Sequence, residues 1–329
     1  MGSFFLDDFS EKNILLVEFL KGGFFMNMIS IVVPCYNEEE SVCLFYKEFV
    51  KRTMGLRERC NFEFVFVDDG SKDNTLKEIK IIKEKIHSDT IKYISFSRNF
   101  GKEAALYAGL QAATGDFVAV MDVDLQDPPE LICKMYEDVS SGEYDCVATR
   151  RQTRKGEPVL RSLFSKMFYC FINKVSETEI IDGARDFRLM NRKMVDAILS
   201  LSEKNRFSKG LFSWVGFKTK WISYDNIERA VGKTKWNFWK LFKYAIEGIL
   251  GYSSFLLFIS GLFFVLGEIS GFVLLILSII KHSTILALFG TVFFLFGLIS
   301  LFIMFLGMYI SKIDKETKSR PIYIEKERG

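Results

Sequence analysis

Asp122 and Asp124 stand two residues apart at the end of the apolar run Phe117–Met121. On a strand that spacing sends both carboxylates to one side. Two close carboxylates repel unless a cation joins them, and hard divalent ions prefer oxygen ligands. Mg2+ or Mn2+ bridging to a diphosphate would explain the pair; the alternative is a solvated acidic loop. Asp127-Pro128-Pro129-Glu130 has a structural explanation instead, with Asp127 at an N-cap, Pro at N1 and Glu130 closing a capping box. Asp68-Asp69-Gly70-Ser71 in isolation is a turn. At the ligand edge of a sheet, its carboxylates can accept from a base N–H or a ribose hydroxyl. Glu38, Glu39 and Glu40 suit a helix N-terminus, while Pro34-Cys-Tyr-Asn-Glu38 positions Tyr36 to pack near a base.

The elements that must hold these groups alternate from Met28 onward. Strands are expected at Ile29–Val33, Phe62–Val67, Ile91–Phe96 and Phe117–Met121. Helices are expected over Glu38–Met54, Thr75–Ile86 and Glu103–Ala113. Apolar strands alternating with helices imply a mainly parallel sheet covered on both faces. Ligands in such sheets lie beyond the carboxyl ends of the strands. The polar motifs at Tyr36–Glu38, Asp68–Ser71, Ser97–Asn99 and Asp122–Asp124 all fall there, a coincidence stronger than any one of them. The six cysteines lack metal-type spacing and read as packing thiols in a reducing compartment.

Taken in order, Val33-Pro-Cys-Tyr-Asn-Glu38, Asp68-Asp-Gly-Ser71, Ser97-Arg-Asn-Phe-Gly-Lys-Glu103 and Asp122-Val-Asp-Leu-Gln-Asp-Pro-Pro-Glu130 resemble the family 2 GT-A glycosyltransferases. More narrowly, they are similar to the polyprenyl-phosphate glycosyltransferases, the group of bacterial undecaprenyl-phosphate glucosyltransferases and dolichyl-phosphate mannose synthase. Asp186–Met190, Arg206–Gly210, Trp214–Phe217, Lys233–Trp236 and Arg320-Pro-Ile-Tyr323 extend the likeness from Met28 to the end. A Gln-x-x-Arg-Trp signature of processive synthases is absent. The resemblance implies that Asp68 and Asp69 hold a nucleotide, with Pro34, Tyr36 and Glu38 lining base and ribose, and Lys102 also on the donor side. It implies that Asp122, Asp124 and Gln126 gather the metal and diphosphate. Arg150, Arg161 and Ser165 match acceptor-phosphate contacts, and Arg161 and Ser165, four apart, share a helix face. Asp124, Asp186 and Arg161 are the expected catalytic residues. Here the family's usual Gly-Asp-Phe-Arg reads Arg185-Asp186-Phe187-Arg188, so Arg185 can lower the Asp186 pKa or tie it in an ion pair. Met308 stands where relatives often carry Glu before Tyr309.

Residues 253–280 contain one charge, Glu268, and residues 285–310 contain none. Each exceeds the roughly 20 apolar residues of a spanning helix, so a transmembrane hairpin is expected. Basic residues flank both ends, while the turn offers only Lys281 and His282, which places both ends in the cytoplasm. The net charge of +3 conceals segregation. Residues 116–145 hold nine acids and one base; 147–174 hold seven bases and one acid; 203–243 hold ten bases and three acids. The first is the lip expected of a metal site. The other two, with Trp214, Trp221, Trp236 and Trp239, fit docking on an anionic lipid surface. A hydrophobic content of 49% and an aromatic content of 15% exclude a disordered chain, and no nucleic-acid-binding motif is present.

The expected fold class is therefore α/β, a GT-A nucleotide-sugar-binding domain over residues 28–200. Basic juxtamembrane helices (201–252), two transmembrane helices (253–310) and a cytoplasmic tail (311–329) follow. Residues 1–27 form an N-terminal extension, and Lys21-Gly-Gly before Met26 fits a mis-assigned start. The expected activity is inverting transfer of one hexose, from UDP-glucose in the first instance, to undecaprenyl phosphate at the bacterial plasma membrane. UDP-N-acetylglucosamine or GDP-mannose as donor, or a non-catalytic nucleotide-sugar-binding scaffold, are the alternatives. A tetramer is implied by the resemblance alone.

Overall fold

The computed structural model describes residues 26–151, 181, 183–204, 206–225, 284–318 and 320–329. Strand β1 (Asn27–Cys35) is followed by helix α1 (Val42–Arg52), then β2 (Cys60–Asp68), α2 (Thr75–Lys85), β3 (Thr90–Phe96), α3 (Lys102–Ala112) and β4 (Phe117–Val120). Each expected element lies within a few residues of its place. The expected helix from Glu38 begins only at Val42, because residues 38–41 form a turn in which Glu38 C=O accepts from the N–H groups of Ser41 and Val42.

Alternation along the strands divides the core in two. Phe62, Phe64 and Phe66 of β2 join Ile29, Ile31 and Val33 of β1 beneath α1, whose Phe45 and Phe49 are fully buried. Val65 and Val67 point the other way, with Val32, onto the Ala-rich face of α3. Both faces of these strands are covered, which is why they read as apolar runs. Phe49 meets Phe62 and Phe64 edge-on at centroid distances of 5.5 and 5.1 Å, an aromatic geometry that adds to area burial.

The second half of the chain brings α4 (Leu131–Ser140), β5 (Cys146–Arg151), β6 (Ala184–Asn191), α5 (Arg192–Ser200), α6 (Ser208–Trp214), β7 (Thr219–Tyr224), α7 (Thr284–Thr317) and β8 (Glu325–Arg328). The strand order of the single sheet is β7-β5-β6-β4-β1-β2-β3-β8. The β1–β2, β1–β4, β2–β3 and β5–β7 pairs are parallel, whereas β4–β6, β5–β6 and β3–β8 are antiparallel. The architecture is α/β with a mostly parallel sheet, as expected. The antiparallel additions were not expected from the sequence. Their strands carry charges, as in Ala184-Arg-Asp-Phe-Arg, that conceal the apolar alternation.

Among the described residues the expected membrane hairpin is not found. Residues 253–280 and the turn 281–283 lie outside the described residues, as do Glu268, Trp236 and Trp239. Residues 285–310 fall in α7, 34 residues long. Many of its side chains fall outside the described residues, and among those described no helix is long and apolar enough to cross a membrane. The basic block 203–243 is partly drawn into the fold: Arg206, 8% exposed, donates to Leu201 and Ile198 carbonyls, and Lys220 pairs with Asp138 at 2.7 Å. Trp214 is exposed, whereas Trp221 packs on the second core. The described cysteines 35, 43, 60, 133 and 146 are free, and Cys35, Cys60 and Cys146 are buried.

Among the described residues Glu63 is the one acid buried in the middle of a strand. Its carboxylate accepts from Lys92 at 2.5 Å, from Ser30, and from the Thr114 amide and hydroxyl at 2.8 and 2.7 Å. Burial alone would raise its pKa, but these donors, Lys92 first, lower it below 4.5. A lowered carboxyl contributes stability above its unfolded pKa and loses it as pH falls through the folded value. Glu63→Gln should cost about 1–3 kcal/mol in urea unfolding at pH 7. The gap between variant and native protein should close below pH 4.5.

Candidate functional site

The carboxyl ends of β1, β2 and β4 form one edge, and acid side chains tie its loops together. Asp68, at the end of β2, is 2% exposed and accepts from the Ser95 hydroxyl of β3 at 2.7 Å and the Ser71 amide at 3.0 Å. Asp69 is 3% exposed and accepts from Asn99 Nδ2 (2.8 Å) and from the Phe100 (2.6 Å) and Gly101 (3.0 Å) amides. Burial raises the Asp69 pKa to about 6 against the pull of those amides. Both acids expected to hold a nucleotide thus already hold the β2–α2 and β3–α3 loops. Gly70 has φ +65, and an added Cβ would lie 2.4 Å from the Arg98 backbone, so only glycine fits. Pro34, next to last in β1, is half-buried beside this edge, as are Tyr36 and Glu38 in the loop beyond the strand. The Asn37 amide donates to Ser71 Oγ at 2.9 Å, and the Glu38 amide to Thr75 Oγ1 at 2.8 Å.

Strand β4 ends at Val120, so Asp122 and Asp124 sit in a turn rather than on a strand, and Leu125 takes φ 56. The alternation rule therefore does not set their directions, correcting the expectation above. Asp124 is buried and its Oδ1 accepts from the Gln126 amide at 3.2 Å; Asp122 and the Gln126 side chain are half-buried. Lys102, at the start of α3, lies 2.6 Å from Asp122 Oδ1 and 2.6 Å from Asp186 Oδ2 of β6. Burial opposes charge on Lys102 and on Asp186. Asp122 and Asp186 nevertheless hold the Lys102 ammonium above its usual range, and Lys102 holds the Asp186 carboxyl below its own. Asp186 is therefore an ionised acid next to a cation. Among the described residues no three His, Cys, Asp or Glu side chains form a metal cluster. Two oxygen-bearing acids, Asp122 and Asp124, still fit a Mg2+- or Mn2+-type ion that takes its other ligands from substrate phosphates and water.

Asp127 does not cap a helix. Helix α4 starts at Leu131, with Glu130 at its N-cap making no side-chain cap bond and pairing with Arg52 at 3.2 Å. Asp127 is instead 1% exposed, accepting from Arg185 Nε at 3.0 Å and from the Tyr224 hydroxyl. Arg185 reaches Asp127 and approaches Asp122 at 3.9 Å, so the ion pair anticipated with Asp186 goes to other acids. Sequence reading passed over Asp127 because Asp-Pro-Pro-Glu matches a cap pattern; Arg185 in place of glycine was the available signal. Arg150 lies exposed on β5 and donates to Ser223 Oγ at 2.9 Å. Arg161 and Ser165 lie outside the described residues. Two residues from Asp186, a cavity of about 200 Å³ is lined by Arg188, Lys209, Phe212, Phe217, Thr219 and Trp221, cations set among aromatic rings.

Among the described donors, Arg185→Met would leave the buried Asp127 carboxylate only the Tyr224 hydroxyl. Breaking a buried ion pair costs about 3 kcal/mol, readable as a drop in urea-unfolding free energy at pH 7. Burial raises the Asp127 pKa already, and losing Arg185 raises it further, so the penalty should shrink as pH falls. Adding Asp127→Asn should recover part of the loss.

The profile described as Glycosyl transferase family 2 matches residues 30–199. The bactoprenol glucosyl transferase of Shigella phage SfX is 39% identical over 320 residues, covering 91% of this chain and 99% of that one. The prophage bactoprenol glucosyl transferase homolog of Escherichia coli K12 is also 39% identical, over 91% of this chain and 98% of its own. A mannosyltransferase from Pyrobaculum calidifontis, solved with GDP-Man and Mn2+, matches 68% of this chain and 65% of its own at 17% identity and a TM-score of 0.48, a likeness too slight to bear on activity. Near-full-length identity at this level, on a sheet whose acidic motifs gather at one edge, makes the chain a member of glycosyl transferase family 2.

Proposed function

We propose that the chain transfers one glucose from UDP-glucose to a polyprenyl phosphate, undecaprenyl phosphate, at the cytoplasmic face of the bacterial plasma membrane. The observation that carries this is the 39% identity to bactoprenol glucosyl transferases over nine-tenths of both chains. A phosphate acceptor is already anionic at neutral pH, so its oxygen attacks C1 without a strong general base. The new bond is phosphate oxygen to C1, the broken bond is C1 to the diphosphate oxygen, and in-line attack inverts the anomeric centre. Asp186, held ionised by Lys102, accords with such a reaction: it can orient and stabilise positive charge near C1 without carrying a proton.

Asp122 and Asp124, with Gln126, would hold a divalent cation, which supplies charge to the departing diphosphate. Lys102 faces the same side and can donate to those oxygens. The edge built on Asp68 and Asp69, with Pro34, Tyr36 and Glu38, would receive the nucleotide. Arg150, Arg161 and Ser165 would receive the acceptor phosphate. Membrane attachment through residues 253–310 accords with the exposed Ile285, Leu288, Ile303 and Ile310 on α7, an uncovered apolar surface of the kind that lipid or another chain covers. Both termini would be cytoplasmic, and association into a tetramer is part of the same proposal.

Membranes carrying the protein should form glucosyl-phosphoryl-undecaprenol when given undecaprenyl phosphate and a panel of nucleotide sugars, identified by mass. A product bearing N-acetylglucosamine or mannose would replace the donor, and no product with any sugar would favour a binding scaffold. Asp124→Ala should lower transfer by at least about 100-fold, the scale of losing one preorganised electrostatic partner, with an unchanged melting temperature. Near-normal turnover would reject the metal-site assignment.

A further inference from the structure

Arg320-Pro-Ile-Tyr323 and the residues after it are not absorbed by the chemistry above, yet they fold back onto the catalytic sheet. Only seven residues separate the end of α7 at Thr317 from β8, which begins at Glu325. Strand β8 pairs antiparallel with β3, in register Ile94↔Arg328 and Ser95↔Glu327. Tyr93 and Gly329 exchange amide-to-carbonyl bonds of 2.7 and 3.0 Å, and the Ser97 amide donates to Ile324 C=O at 3.0 Å. Gly329 lies so close to Tyr93 that an added Cβ would come within 2.5 Å of its ring. The Tyr323 ring stacks on Phe96 at 4.7 Å, and its hydroxyl donates to Gln111 Oε1 at 3.0 Å. Glu327 bonds Lys80 at 2.5 Å and the Tyr93 hydroxyl at 2.8 Å.

What β8 covers is the strand that builds the Asp68–Asp69 edge. Ser95, opposite Glu327, donates to Asp68. Phe96, under Tyr323, meets Phe100 edge-on at 5.8 Å, and the Phe100 amide donates to Asp69. Ser97, bonded to Ile324, precedes Arg98, whose backbone packs on Gly70. Two contiguous routes therefore run from the tail to the Asp-Asp-Gly-Ser turn, one of hydrogen bonds and one of rings. Without β8, the outer N–H and C=O groups of β3 would form an open sheet edge.

We propose that residues 321–329 are a strap that positions the donor edge: by pairing with β3 it holds the Ser97–Gly101 loop, and with it Asp69, in the nucleotide-receiving arrangement. Its residues are positioning residues and touch no substrate. The strap also ties α7 to that edge, so whatever holds α7 restrains the donor side of the sheet. The inference rests on reading the Asp68–Asp69 edge as the nucleotide side.

The test compares the full chain with a chain ending at Arg320, with Tyr323→Ala, and with the shortened chain given a synthetic peptide of residues 320–329. Hydrogen exchange of the Phe100 and Gly101 amides reports on the loop without any nucleotide; loss of the strap should speed it about tenfold or more. UDP binding by calorimetry should weaken about tenfold, and donor KM should rise by the same factor while kcat changes less than about threefold. The peptide should reverse these effects by adding back the strand. Tyr323→Ala keeps the β8 hydrogen bonds and serves should the shortened chain fail to fold; its changes should have the same direction and be about threefold. Exchange at 100–101 within twofold of the full chain in both variants would overturn the strap. Failure of the full chain to bind UDP would overturn the donor reading, and the positioning role with it.

Discussion

One ammonium, that of Lys102, is shared at 2.6 Å by Asp122 and Asp186. This ion pair joins segments that no local force brings together. Asp122 follows β4 in the parallel half of the sheet, Asp186 lies on β6 in the added half, and Lys102 opens a helix packed on one face. Partly buried charges are costly unless paired, so the arrangement constrains all three elements at once. The β4–β6 pairing, in register Val120↔Arg188, sets Asp186 alongside the turn that carries Asp122. Gly101, at φ +100, lets the chain turn into α3, delivering Lys102 between them.

The same rule operates along the whole edge at the carboxyl ends of these strands. Asp68 takes donors from β3 and from its own turn; Asp69 takes them from the β3–α3 loop; Asp127 takes them from β6 and β7. Carboxylates thus tie these loops to one another. Such a rim stays polar and can meet a charged substrate, while the Phe and Val layers beneath carry the stability. It is also a rim that the chain's last strand reaches, through Ser95 and Ser97.

Much of this was legible locally. Val, Ile and Phe runs broken by polar clusters placed β1 to β4 and the helices between them, because strands buried on both faces need continuous apolar sequence. The candidate site was legible as a coincidence of four strand ends. Local patterns misled where a residue's partner is distant in sequence. Asp127 matched a capping box, but its partners lie 58 and 97 residues away. Asp122 and Asp124 looked like strand residues, but β4 stops at Val120 and a turn sets their directions. Arg185 was expected to act on its neighbour Asp186, yet it pairs with Asp127 while Asp186 pairs with Lys102.

From the sequence alone came the residue types, the edge they share and the family motifs, since these depend on periodicity and order along the chain. Only the tertiary structure decided which charge meets which: that Lys102 serves Asp122 and Asp186, that Arg185 serves Asp127, and that the final residues close the sheet on β3. Those pairings are between segments tens to hundreds of residues apart, chosen by where the packed sheet leaves a buried carboxylate in need of a donor, and no local pattern encodes that.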